Sequence, residues 1–340
     1  MMTKEICFPA IRCKLGHTMR ILILGAGGIG GYFGARIHNA GGDVTFLVRP
    51  TRADNLLANG LRVLSPLGDA YITPKIITSV GSSTRNNFDI VVLSCKAYDL
   101  DTALDSISTA LSPDGLTLPL LNGFAHLPRL DARFGRQRVL GGLAHLAVTL
   151  APTGEIQHLN KIHRLLIGTR STPISPLVYP LAEVLTRSGV DFSLSDSIEE
   201  DMWDKFIFLS ALAGATCTMR SSIGDILDTH SGETFIVGLL DECVAVAAKH
   251  DHTPSPDQLA AYRSHLTARG STSTASMLRD IERGGPTEAD HILGDMVRRA
   301  EIHGVDTPLL KLAYSHLQAY EIHRNRIPNP SFHLTAFGNT

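Results

Sequence analysis

The chain has 340 residues, a formal net charge of −2 and 44% hydrophobic residues. That length suits about two domains, each able to bury a core. The balanced charge excludes a large electrostatic footprint for nucleic acid or anionic membrane, and the plentiful Leu, Ile and Val exclude a disordered chain.

The N-terminus carries a short apolar stretch at residues 6–11. It is broken by Pro9 and surrounded by Lys4, Glu5, Arg12 and Lys14, which is not the make-up of a secretion signal. Residues 1–18 are read as an extension ahead of the first strand. No apolar run reaches the ~18 residues of a membrane span, so a cytoplasmic protein without membrane partners is expected. Cys7, Cys13, Cys95, Cys217 and Cys243 show no CxxC or Cys/His spacing, so neither a disulfide framework nor a metal site is expected. The last three read as buried small residues. His250 and His252, beside a Pro-rich turn, read as surface residues.

From residue 20 onward, apolar runs at 21–24, 44–48, 90–93 and 116–121 alternate with helix-length segments. The runs are nearly continuous in hydrophobicity, as in parallel strands covered on both faces. Pro119 cannot donate to a ladder, which puts its strand at an edge or interrupts it. Residues 99–111 and 175–188 read as helices. Residues 138–150, 155–159 and 165–169 read as further strands, with turns at 152–154 and at Asn160. Beyond about residue 194 the pattern turns helical, over 199–217, 232–250, 256–268, 276–283, 288–303 and 308–320. The expected architecture is a Rossmann-type, doubly wound α/β domain over residues 19–194, followed by an all-α domain over 195–325 and a tail, 326–340.

Eight of the 30 glycines fall between Gly25 and Gly42. Gly25, Ala26, Gly27, Gly28, Ile29 and Gly30 follow the first apolar run and open a helix with G-x-G-x-x-G spacing. Gly25 permits the tight turn, Gly27 a close approach of pyrophosphate, and Gly30 close packing of helix on strand. The helix N-terminus supplies N–H groups and the positive end of a dipole. The second run ends at Arg49-Pro50-Thr51-Arg52, without the acidic residue that usually binds the ribose hydroxyls of NAD. Arg49 and Arg52 can instead bond a 2′-phosphate, which predicts NADP(H) over NAD(H). Gly25, Arg49, Lys96 and Asn122 each stand at the C-terminal end of a run, the edge where parallel sheets bind ligands.

In the helical half, Lys205 lies within Trp203-Asp204-Lys205-Phe206-Ile207-Phe208. Loss of solvation among such neighbours would lower its pKa toward the range useful for proton transfer. The alternative is an exposed lysine paired with Asp201 at i−4. Ser276 and Asp280 share one helical face. Gly284-Gly285-Pro286 breaks the chain, and Thr287 reads as the N-cap of a new helix with Glu288 in its first turn. There the dipole favours an ionised carboxylate, suited to anchoring a substrate.

Together these residues resemble the ketopantoate reductase (2-dehydropantoate 2-reductase) family. The resemblance rests on the glycine loop, Lys96, Asn122-Gly123, Trp203-x-Lys205, Ser276-Met277-x-x-Asp280 and Glu288, and spans about residues 19–320. It implies reduction of 2-dehydropantoate, a small anionic 2-oxo acid, to pantoate with NADPH, a step toward pantothenate and coenzyme A. It also implies that Lys205 is the general acid, that Glu288 holds the substrate hydroxyl and that Ser276 holds the carboxylate. Lys96 and Asn122 would serve cofactor and substrate, with Asp280 as a supporting residue. Where well-studied members carry asparagines, this chain has Leu209, Ala213 and Ser273. A different branched 2-oxo acid is therefore the alternative substrate, and a non-catalytic NADP(H) sensor the alternative function. A helical second domain of this kind often forms a homodimer interface.

Overall fold

The apolar runs become strands in their order along the chain. The computed structural model describes residues 18–326. The expected extension, apart from Thr18, and the tail, apart from Arg326, lie outside the described residues. Strands β1 (Arg20–Leu24) and β2 (Asp43–Leu47) flank helix α1 (Gly28–Asn39) in sequence. Then come α2 (Pro50–Asn59), the short strands β3 (Leu61–Leu64), β4 (Ala70–Ile72) and β5 (Lys75–Ile77), and β6 (Phe88–Leu93). α3 (Leu100–Ile107), β7 (Leu111–Pro119) and α4 (Leu127–Phe134) follow. The first unit is completed by β8 (Gly141–Leu150), β9 (Ile156–Gly168), α5 (Val178–Arg187) and β10 (Asp191–Leu194).

Five strands form a wholly parallel sheet in the order β5-β2-β1-β6-β7. β7 is an edge strand and Pro119 is its last residue, pairing with Leu93, so the missing N–H costs the sheet nothing inside a ladder. A second, mixed sheet runs β10-β9-β3-β4, with β8 on β9. The three short strands β3–β5 and β10 escaped the sequence reading because each is only three or four residues long.

Glycines set how closely α1 approaches both sheets. A Cβ on Gly34 would lie 2.5 Å from the Phe46 ring and 2.7 Å from Ile23 Cδ1, while one on Gly28 would lie 2.8 Å from Val148. Tyr32, Phe33, Ala35 and Ile37 are buried; each large apolar side chain contributes roughly 1.5–3 kcal/mol by leaving water.

The expected turn at Asn160 is absent, because β9 runs unbroken past it. Leu146 pairs with His163 and Val148 with His158, so residues 159–162 form a wide bulge rather than a reversal. Local bonds supply what the ladder loses. His158 Nε2 lies 3.0 Å from the Ile162 carbonyl, and the Asn160 side chain accepts from Ile162 N at 3.0 Å.

The second unit is helical: α6 (Ile198–Met219), α7 (Ile223–Leu227), α8 (Gly232–Ala248), α9 (Pro256–Leu266), α10 (Ser276–Glu282), α11 (Asp295–Ile302) and α12 (Pro308–Arg326). A π turn over Asp290–Gly294 precedes α11. The core of this unit includes Phe206, Ile236, Leu239, Leu293, Met296, Leu310 and Leu317. By their contacts the units divide between Met202 and Trp203, inside α6. The first turn of α6 belongs to the first unit because Ile198 packs where Cβ atoms on Gly141 and Gly168 would stand. Residues Asn122–Ala125 belong to the second unit. Among the described residues, no helix is long and apolar enough to cross a membrane.

Candidate active site

The candidate dinucleotide site of the first unit is built on the β1–α1 turn. Gly25 takes φ +94, a left-handed conformation that only glycine adopts without strain. Its N–H bonds the Leu47 carbonyl at 2.9 Å, and the Ser94 hydroxyl bonds the Leu24 carbonyl at 2.8 Å. Thus the turn is pinned to β2 and to the end of β6. The N-cap of α1 is Gly27, with no side-chain cap bond and no acidic residue in the first turn. A Cβ on Gly27 would meet no atom within 4 Å. These features fit a pyrophosphate approaching the N–H groups of the first turn.

Arg52 braces this turn. Its Nε donates to the Ala26 carbonyl at 3.1 Å, and its Nη1 donates to Asn55 Oδ1 at 2.8 Å and to the Gly154 carbonyl at 2.9 Å. The buried Nη2 has no partner among the described residues, which leaves a cationic donor beside the glycine loop. Burial lowers the guanidinium below its ordinary value. Arg49 is three-quarters exposed and pairs with Asp99 at 2.6 Å. Asp99 ends the single 3₁₀ turn Ala97–Asp99 whose N-cap is Lys96. Gly25–Gly30, Arg49, Arg52 and Lys96 therefore all belong to the first unit.

Asn122, Lys205, Ser276, Asp280 and Glu288 belong to the second. Lys205 is partly buried on α6, not the exposed lysine of the alternative reading; the Asp201 carboxylate accepts from the Ser195 hydroxyl. Burial lowers the Lys205 ammonium from 10.5 to about 8, and the Glu288 carboxylate opposes part of that shift. Glu288 is buried to 8% exposure. It stands where the chain enters the helix that starts at Ala289. As the spacing predicts, the Thr287 hydroxyl accepts from Ala289 N, at 3.4 Å, while Thr287 N donates to Glu321 at 2.6 Å. Ser276 is the exposed first residue of α10, and Ala275 N just before it donates to the Thr216 hydroxyl of α6 at 3.2 Å. One turn along α6 from Lys205, Leu209 is partly buried, and Ala213 beyond it is fully buried.

Several site neighbours escaped the sequence reading. Phe124 lies 4.9 Å from the Trp203 ring and 5.6 Å from Phe206, centroid to centroid. The Arg299 guanidinium covers both Phe124 and Trp203 at 5.1 and 5.2 Å, within cation–π range. His252 is not a surface residue: it is 5% exposed, lies 6.1 Å from Trp203 in a stacked arrangement and is 3.0 Å from Asp204. The chain reverses at Asp251, which has positive φ, and this tucks His252 under the helix. Cys217 and Cys243 are buried as expected, whereas Cys95 is half-buried; burial pushes the Cys217 thiol up to about 12. His291 is buried as well; its i+3 spacing from Glu288 was the one signal that could have drawn attention to it.

The comparisons with known proteins bear on the family. The profile described as "Ketopantoate reductase PanE/ApbA" matches residues 21–172, and its C-terminal companion matches residues 197–321. An uncharacterized oxidoreductase, YkpB of Bacillus subtilis, is 33% identical over 303 residues, covering 89% of this chain and 99% of that one. The solved 2-dehydropantoate 2-reductase of Methylococcus capsulatus superposes with TM-score 0.79 at 27% identity, over 91% of this chain and 98% of its own. A D-mandelate dehydrogenase solved with NADH and anilino(oxo)acetate gives TM-score 0.81 at 22% identity, over 90% and 100%; that likeness is one of fold. With both profiles matched in order along the chain, this protein belongs to the ketopantoate reductase family of oxidoreductases.

Proposed function

We propose that this protein reduces 2-dehydropantoate to pantoate with NADPH. The observation that carries this reading is the match of both ketopantoate reductase profiles in order along the chain, with Lys205 on α6 lowered to about 8 by burial and near enough to the Glu288 carboxylate to feel it. A pKa near the working pH gives a group that is charged when substrate arrives and can still release its proton.

When bound, NADPH supplies the hydride that reaches the ketone carbon. Lys205 donates the proton to the ketone oxygen and stabilises the negative charge that develops there. Glu288 accepts a hydrogen bond from the substrate hydroxyl, and Ser276 at the start of α10 donates to the substrate carboxylate. Asn122 orients the substrate, Lys96 serves the cofactor, and Asp280 supports Ser276 from the same helical face. Solvent then returns a proton to Lys205.

Arg49 and Arg52 divide the cofactor work. Arg49, exposed at the end of β2, is free to exchange Asp99 for a 2′-phosphate. Arg52 holds the turn itself. Arg49→Ala is therefore expected to weaken NADPH about 10–100-fold, the value of one or two charge-assisted bonds, and to leave NADH unchanged. Arg52→Ala should weaken both cofactors alike. Fluorescence titration with each dinucleotide measures this, and a native preference for NADH would overturn the NADPH assignment.

A second reading has its own observation. The residues that follow Lys205 along its helix, Leu209 and Ala213, offer no hydrogen-bonding group, so the substrate could be a branched 2-oxo acid lacking a hydroxyl. Following NADPH oxidation against a panel of 2-oxo acids separates the two. A kcat/KM for 2-dehydropantoate at least tenfold above all others supports the first reading. A reversed order supports the second, and binding of NADPH without turnover of any acid sinks both.

A further inference from the structure

Asn122 follows β7 almost directly in sequence, yet the contacts that fix it lie on a turn about 170 residues later in the chain. The His291 ring hydrogen-bonds the Asn122 backbone. At Gly123, where φ is +74, a Cβ would stand 3.4 Å from the His291 carbonyl oxygen and 3.3 Å from the Phe206 ring. Only glycine combines that conformation with that approach. Phe124 then packs on Trp203 and Phe206. Three successive residues are thus seated on the helix of Lys205 and the turn after Glu288.

His291 sits in the π turn Asp290–Gly294. A π turn is rare and occurs mostly as a single-turn bulge in an α-helix, frequently at a functional site. His291 follows Glu288 by three residues and is near enough to feel its carboxylate, and the Glu288 carbonyl accepts from Ile292 N at 3.0 Å. Burial lowers the imidazole below its ordinary value, outweighing the opposite pull of Glu288, Asp295, the Asn122 backbone bond and Asp290. Burial thus favours the neutral ring as the partner of the Asn122 backbone.

We propose that His291 is a positioning residue, whose ring ties the Asn122 backbone to the Glu288 turn and so holds Asn122, Glu288 and Lys205 in register for the substrate. This rests on the reductase reading for its catalytic consequence, while the tether itself does not.

The test compares His291→Phe, which keeps a ring without the donor, with His291→Gln, which restores an N–H of similar reach. Each full-length variant is measured for 2-oxo acid kinetics with NADPH and for amide hydrogen exchange in the peptide spanning residues 120–127. In His291→Phe, kcat/KM is expected to fall about 10–100-fold and exchange at residues 122–125 to rise at least tenfold. His291→Gln should recover both to within about threefold of wild type. Should His291→Phe fail to fold, His291→Leu replaces it as the donor-free variant. Unchanged exchange in the donor-free variant overturns the tether. Faster exchange with unchanged kinetics overturns the positioning role. Equal losses in the donor-free and Gln variants assign the effect to ring bulk and overturn it too. If wild type turns over no 2-oxo acid, the reductase reading fails, and the exchange data still decide whether His291 holds Asn122.

Discussion

Lys205→Ala is expected to lower kcat about 10²–10⁴-fold, the usual worth of a positioned general acid, and to raise rather than lower the melting temperature. Both effects come from the same burial. Moving an ammonium out of water disfavours its charged form, which is why its pKa falls to about 8 despite the Glu288 carboxylate. Between pH 8 and 10.5 the unfolded chain holds a proton on this lysine that the folded chain has lost. Stability therefore rises with pH through that window, and at neutral pH the buried charge destabilises the fold. Removing it relieves that cost. Activity should follow the opposite course: on the proposed mechanism the protonated lysine is the acid, and the rate of ketone reduction then falls tenfold per pH unit above about 8. Lys205→Arg keeps the charge but does not release a proton in this range, so it should lose activity without gaining stability. Steady-state kinetics from pH 6 to 10 and thermal melts on the three proteins measure all of this. A Lys205→Ala variant retaining more than about a tenth of wild-type kcat would remove Lys205 from the acid role.

Much of this site was legible in the sequence, and the reasons are physical. The glycine turn follows a fixed backbone geometry, so its spacing survives as a pattern: Gly25 does have positive φ, and α1 does begin at Gly28. Lys205 was legible because charge inside an apolar helical run is rare, and Glu288 because the Gly-Gly-Pro break and Thr287 announce a helix start. What escaped depends on contacts distant in the chain. Nothing near His252 in sequence indicates Asp204, and nothing near Asn122 indicates His291. The ambiguous turn at Asn160 failed for a related reason: Asn promotes turns locally, but pairing of β8 with β9 on either side absorbs the extra residues as a bulge. Arg52 shows the same limit from the other direction. Its charge suggested a phosphate ligand, and Nη2 stays without a partner among the described residues, but that its other two nitrogens hold Ala26, Asn55 and Gly154 was not legible.

The glycine loop permits a sharper test, because two of its glycines do different things. Gly30→Ala is expected to damage the fold and Gly27→Ala to damage only cofactor binding. A Cβ on Gly30 would overlap the Ser94 hydroxyl and the Gly25 carbonyl oxygen and would press on Ile23 Cγ2 at 3.0 Å. The carbonyl belongs to the turn itself, so relief requires backbone movement. Overpacking of this kind costs about 1–3 kcal/mol, of which the ~1 kcal/mol that alanine gains over glycine inside a helix offsets only part, leaving a net loss of up to about 2 kcal/mol. A drop of up to about 8 °C in melting temperature follows for a unit of this size, with loss of the expected dinucleotide site. Gly27, by contrast, has φ −84 and ψ −159, open to any residue, and its Cβ would meet no protein atom. Gly27→Ala should melt within about 3 °C of wild type, the residual cost being a poorer N-cap. Its methyl would occupy the approach to the first-turn N–H groups, so the dissociation constant for NADPH should rise at least tenfold. Calorimetric titration with NADPH and thermal melts on both variants decide this. Wild-type NADPH affinity in Gly27→Ala would mean that the pyrophosphate does not pass over this turn.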